Sequence, residues 1–395
     1  MEEHRPSQNE IKRKVSIDGI QEEHLVLLIK DKMENISLSH CISKVPEEHF
    51  KGNHQNYNPT LVSIGPFHHA KHSLREMEAH KWHYLNTLFS RKQNSEETLS
   101  NCLKTLRRLE EKARKCYGGN MDMESDKFVQ VMLLDACFII ELFFAYSIKG
   151  LRRRDDPCFS SNERFFHIRC DLILLENQIP FFILQQLFQL VPIPRECSYS
   201  LQELTFRFFR KLIPGGAETP QVRSSANVLH ILDLIRQSYL PTSQELHSKI
   251  GQTELKNAQH LQKSGINFKR ANRESLMNLE FKNGVLKMPA LTIHNYTETL
   301  FRNFITFEHC CGQQTKHITS YALLMICLLK SKNDIKLLQQ KGIMDVGTHK
   351  HEEILNLFRN FPIDLSIRDF YYKGLFEKIN CHKSIKSKVV LVCGK

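Results

Sequence analysis

A chain of 395 residues, 41% hydrophobic and 25% charged, carries enough apolar material for a sizeable core, which excludes wholesale disorder. Its 55 Lys and Arg outnumber 43 Asp and Glu to give +12, favouring acidic partners, but the basic runs at 12–14 and 152–154 are short and scattered, so no dedicated nucleic-acid groove is expected. The 12 cysteines lack any CxxC spacing and are read as reduced thiols, and the opening residues hold no apolar run long enough for a secretory signal.

Residues 1–34 are polar and are read as a mobile lead-in. From Val45 to His69, Pro46, Pro59 and Pro66 with Gly52 and Gly65 interrupt helix at short intervals and predict an extended, ordered loop. The pattern turns helical from Ser73. Leu99, Cys102, Leu106, Leu109 and Ala113 recur at three and four residues, opposite Lys104, Arg107, Arg108, Glu111 and Lys112, and Gly118 and Gly119 supply the stop. Residues 128–146 are apolar nearly all round and predict a central helix packed on several sides; Asp135 and Glu141 interrupt the apolar run, so it reads as buried and not as a membrane span.

Pro180 suits the first position of a helix, where its missing N–H needs no partner, which predicts a break over 176–179 and a helix over 180–191. Leu201, Leu204, Phe208 and Leu212 form the next stripe, stopped by Pro214, and Val228, Leu229, Leu232 and Ile235 form another before Pro241. The polar stretches 218–225 and 242–253 read as loops. In LEFKNGVLKM, Asn283 and Gly284 offer the positive φ angles of a two-residue hairpin between 279–282 and 285–288. Helices over 297–311, 319–330, 334–341 and 352–361 complete the pattern. The fold class is therefore mainly α: an irregular multi-helix domain with an extended N-terminal loop and one small β-hairpin near residues 279–288.

Histidine is the sharpest chemical candidate. His68, His69, His72, His80 and His83 fall within sixteen positions and could in principle hold zinc, but adjacent His68 and His69 point apart in regular structure and no Cys or carboxylate pattern completes a metal signature. The reading expects one of that pair to hydrogen-bond the loop backbone and the rest to be solvated. Four acidic residues lie in apolar runs, Asp135, Glu141, Asp171 and Glu176, and burial obliges each to find a partner, such as a helix terminus or Arg152 or Arg169. No GxSxG elbow and no phosphate-binding loop occurs. No residue is assigned as catalytic, cofactor-binding or metal-binding, and no cofactor is expected.

Six blocks carry a family resemblance: HCISKVPE (His40 to Glu47), YNPTLVSIGPFHHA (Tyr57 to Ala70), MEAHKWHYL (Met77 to Leu85), LLDACFIIELF (Leu133 to Phe143), DLILLENQIPFFIL (Asp171 to Leu184) and ETLFRNFITFEHC (Glu298 to Cys310). In this order they resemble the plant domain of unknown function 247 family, over about Cys41 to about Ile343. The resemblance divides the chain into a lead-in (1–34), the family domain (35–343) and a divergent C-terminal segment (344–395). Members commonly end in a long hydrophobic segment, whereas here the closing apolar run, Val389 to Cys393, is far too short to span a bilayer. The expectation is a shortened or divergent member, cytoplasmic as given, or membrane-bound should a hydrophobic tail follow.

Members are associated with plant self and non-self recognition and with membrane-linked signalling. The resemblance thus implies a non-enzymatic protein that recognises another protein, with no specific nucleic acid. The competing expectation is a hydrolase or transferase that uses His68 and His69 with a carboxylate such as Glu141 or Glu176.

Overall fold

The computed structural model describes residues 41–50, 52–69, 71–119, 121–214, 227–241, 256–272, 275–312, 316–363 and 370–382. The expected lead-in (1–34), the loops 218–225 and 242–253 and the short apolar run 389–393 lie outside the described residues. Elements in chain order are α1 (Glu47–Phe50), α2 (Arg75–Phe89), α3 (Ser95–Lys115), α4 (Ser125–Ser147), α5 (Asn162–Asp171), α6 (Phe181–Leu190), α7 (Leu201–Phe208), α8 (Ile231–Gln237) and α9 (Ala258–Lys263). Then come β1 (Asn267–Ala271), β2 (Glu280–Lys282), β3 (Val285–Pro289), β4 (Leu291–Thr292), α10 (Thr297–Cys310), α11 (His317–Leu328), α12 (Lys332–Gln340), β5 (Met344–Asp345) and α13 (His351–Arg359). A last helix, α14, spans 373–382.

The body is built around α4. Seventeen of its residues, from Phe128 to Ala145, are buried, and α2, α3, α6 and α7 pack around it. Although α4 is long and apolar enough to cross a bilayer, 94% of its most apolar stretch is covered by the rest of the fold. The amphipathic helix α3 follows its predicted stripe, burying Cys102, Leu106 and Ala113 while Lys104, Arg107 and Arg108 face water. A second group of helices, α10 to α13, packs together, with α10 against α11 and α8 and α13 against α11 and α12.

The hairpin is present as β2 and β3, with Asn283 at φ 51° and Gly284 at φ 77° making the turn. Its sheet also gains a strand that the pattern did not suggest: β1 pairs in parallel with β3, from Asn267 opposite Val285 to Ala271 opposite Pro289. β1 is NFKRA, too short and too charged to show strand alternation, and it owes its conformation to the neighbour it pairs with. β4 and β5 form a further two-residue parallel pair. α8 starts at Ile231, three residues later than its apolar stripe implied, because His230 caps it and the Leu229 carbonyl accepts the Phe181 N–H instead. α6 likewise starts one residue after Pro180, which takes the cap position.

Candidate functional site

Four of the six motif blocks meet at one place, the sharp turn from Asp171 to Pro180 between α5 and α6, and the other two, through Lys81 and Asp135, hold Ser63 and Gly65 of the segment that crosses it. The extended loop expected over 45–69 is interrupted by α1 and by a 3-10 turn at His54–Asn56, where local backbone bonds form between the prolines; the stretch beyond crosses the α5 to α6 turn without regular structure, and its backbone N–H groups need acceptors. Asp171 supplies them: Oδ1 accepts from Thr60 N (2.9 Å) and Thr60 Oγ1 (3.3 Å), and Oδ2 from Leu61 N (2.7 Å) and Val62 N (2.9 Å). Asn177 continues the pairing, accepting from Ile64 N at 2.6 Å and donating to Val62 O and Asp171 O. Gln178 holds the turn itself through Leu172 O and Leu174 O and accepts from Leu232 N.

The remaining blocks add their own polar groups. Asn303 of α10 accepts from Leu175 N (2.8 Å) and donates to Asn56 O (2.8 Å), so a helix far along the chain fastens both the turn and the crossing segment. Glu176 Oε1 accepts from Val45 N at 2.7 Å. At Gly65 the chain passes so close to the turn, with φ at +73°, that a Cβ would sit 2.5 Å from the Gln178 carbonyl oxygen. Its N–H donates to Asp135 Oδ2 at 2.7 Å. Asp135 in turn meets Lys81, whose ammonium also reaches Ser63 O (2.5 Å) and Glu78 Oε1 (2.6 Å), with 2.5 Å to Asp135 Oδ1. Lys81 is 0% exposed and Asp135 1%, so this is a desolvated ion pair whose spare valences are filled by the backbone of Ser63 and Gly65 and by the Glu78 carboxylate.

Burial pushes Asp135 up to about 6, against the pull of Lys81, and pushes Asp171 up to about 6, against its backbone donors. Glu176 is also penalised by burial, but the His68 ring and Val45 N–H outweigh that and leave it below the usual carboxylate range. Burial raises Glu141 as well, opposed by Arg91.

The expected histidine and acid partners need correction. His68 is buried against a carboxylate and not the loop backbone, its Nε2 lying 3.1 Å from Glu176 Oε2. His69 Nδ1 lies 3.7 Å from Glu78 Oε2, and burial lowers its pKa. His72 and His83 are exposed as expected, while His80 is half-buried. Glu141 does not join His68 and His69; Arg91 grips both its oxygens at 2.5 Å, and it lines a cavity of about 130 Å³ with His80, His83 and Asp156. Arg152 and Arg169 pair with none of the four acids: their guanidinium groups stack on Phe159 (4.0 Å) and on Phe165 (4.3 Å). Aromatic faces were the nearer partners in this Phe-rich core.

Sequence reasoning passed over Lys81, Asn177, Gln178 and Asn303. Lys81 had a signal: Met77, Lys81, Tyr84 and Leu88 are spaced four, three and four apart on the buried face of α2, with a lysine where an apolar residue belongs. Asn177 and Gln178 likewise interrupt an apolar run. Elsewhere among the described residues, Glu48, His49 and His309 bring ligand atoms close enough together to hold a metal ion; lying on α1 and α10, they had no spacing by which to be found.

The architecture is that of a mainly α, irregular multi-helix domain closed by a buried polar knot. A family model described as a plant protein of unknown function matches residues 42–392, and the chain belongs to that family, the domain of unknown function 247 proteins. It is similar to the UPF0481 protein At3g47200 of Arabidopsis thaliana, with 29% identity over 368 residues, 85% of this chain and 76% of that one. It is also similar to a second Arabidopsis thaliana UPF0481 protein, At3g02645, with 29% identity over 171 residues, 43% of this chain and 29% of the relative. No solved structure matches. The match runs past Ile343, and so does the packing, since Met344, Ile354, Phe358, Tyr372 and Ile379 enter the same core.

Proposed function

We propose that this protein is a non-enzymatic recognition or signalling component that acts by binding another protein, related to the self and non-self recognition members of its family, and that it works in the cytoplasm. The observation that carries this reading is the direction of the motif side chains. Asp135, Asp171, Glu176, Asn177, Gln178 and Asn303 all spend their hydrogen-bonding capacity on backbone or side chains of other segments. Such groups serve shape, and leave partner choice to the outer helix faces. The one tryptophan of the chain, Trp82, sits on the outer face of α2 and is 47% exposed, beside the exposed Ala79, His83 and Asn86. Exposed Trp is a common anchor of protein interfaces, and the net charge of +12 suits a partner with an acidic surface.

The alternative, a hydrolase or transferase, takes its support from the 3.1 Å approach of His68 to Glu176. One experiment separates the two. Candidates found by proximity labelling in plant cells are purified and titrated against the purified protein. The recognition reading expects saturable binding at about 1 μM or tighter, weakened at least tenfold by Trp82→Glu and unchanged by His69→Ala. Failure of every candidate to bind saturably, or a hydrolytic turnover that disappears with His68→Ala, overturns it.

A further inference from the structure

We propose that Glu48, His49 and His309 form a site for a borderline divalent cation, with zinc the best match, which clips the segment around α1 to the C-terminal end of α10. Their ligand atoms all lie within 4.8 Å of one another. Two imidazoles and one carboxylate are the donor types that zinc takes, whereas calcium and magnesium prefer an all-oxygen set. Ligands of a tetrahedral zinc sit about 3.3–3.4 Å apart, given bonds of about 2.0–2.1 Å, so the group must close by up to roughly 1.4 Å. Glu48 and His309 are exposed and free to rotate inward.

The third ligand is fixed. His49 is only 4% exposed, and its Nδ1 lies 2.8 Å from Thr306 Oγ1, one turn back along α10 from His309. A hydrogen bond to one ring nitrogen is how metal-binding histidines are commonly oriented. The His49 and His309 rings stand 4.9 Å apart at 59°, tilted and not stacked flat. His309 also lies in the last turn of α10, where the negative end of the helix dipole favours a cation. Three protein ligands on an open surface leave a fourth position for water or for a donor from a partner. The site is built on α1 and α10, not on the α2 helix that carries Trp82, and stands whether or not the recognition reading holds.

Cobalt(II) reports such a site directly, because a tetrahedral cobalt centre absorbs visible light much more strongly than aqueous cobalt. Apo protein is titrated with cobalt and then with zinc, alongside His309→Ala, Glu48→Gln and His83→Ala, the last controlling for adventitious binding by the 20 histidines of the chain. The expected result is one intense cobalt band per chain, displaced by zinc, retained by His83→Ala and weakened at least tenfold by His309→Ala and Glu48→Gln. Both ligand variants replace exposed side chains, and melting of the metal-free proteins confirms that they fold. Zinc should raise the melting temperature of the wild type and not of His309→Ala. Binding that fails to saturate at one per chain, or that His309→Ala leaves intact, overturns the site.

Discussion

At the residue scale, the fold depends on a few positions where one atom more or less decides the outcome. Gly65 is the tightest. With φ at +73° and the Gln178 carbonyl 2.5 Å from where a Cβ would lie, Gly65→Ala combines backbone strain with a clash against backbone that cannot rotate away. The expected loss is about 2–4 kcal/mol, measured by urea unfolding. Lys81 presents the opposite case, a charge that is tolerated because three acceptors surround it. Lys81→Met should cost about 3–5 kcal/mol by stranding Asp135, and adding Asp135→Leu should restore much of that loss. A double variant no more stable than Lys81→Met alone would contradict the ion-pair account. Lys81 was legible in principle, as a polar residue on a buried stripe, but its partners were not, because Ser63 and Asp135 reach it only through the fold.

At the element scale, the helices were legible because they are amphipathic and punctuated by Gly and Pro, while the caps and the added strands were set by tertiary contacts. α8 shows why. Its start is fixed by His230, whose Nδ1 accepts from Asp233 N and whose Nε2 lies 3.1 Å from Cys41 O. That arrangement needs a neutral ring with the proton on Nε2. Burial lowers the His230 pKa to about 4. The unfolded chain, with an ordinary histidine pKa near 6.5, therefore takes up a proton that the folded chain refuses. The stabilisation is complete above the unfolded value and is lost as pH falls towards 4, amounting to about 3 kcal/mol. Asn is neutral and also a good cap, so His230→Asn should remove this acid sensitivity. Unfolding at pH 7 and pH 4 checks it: the wild type should lose about 3 kcal/mol relative to the variant, and parallel curves would count against the assignment.

At the scale of the whole molecule, the six motif blocks were visible as sequence, and so was their assignment to a family, but their purpose was not. Each block looked like a local pattern. In three dimensions Thr60 to Gly65, Lys81, Asp135, Asp171 to Gln178 and Asn303 tie the extended segment, α2, α4, the α5 to α6 turn and α10 into one unit. Contacts between residues 50 or more positions apart leave no periodicity behind, which is why the acids were recognised as needing partners while the partners themselves were misplaced onto Arg152 and Arg169.

Asp171→Asn tests the central claim most directly, because it keeps the size of the side chain while replacing one acceptor oxygen by a donor and removing the charge. Asp171 takes four donors on two oxygens, and an amide nitrogen in place of either one would face N–H or O–H groups with a donor of its own. If the motif blocks exist to hold this knot, urea unfolding of Asp171→Asn should show a loss of about 2–4 kcal/mol. A variant as stable as the wild type would contradict the account.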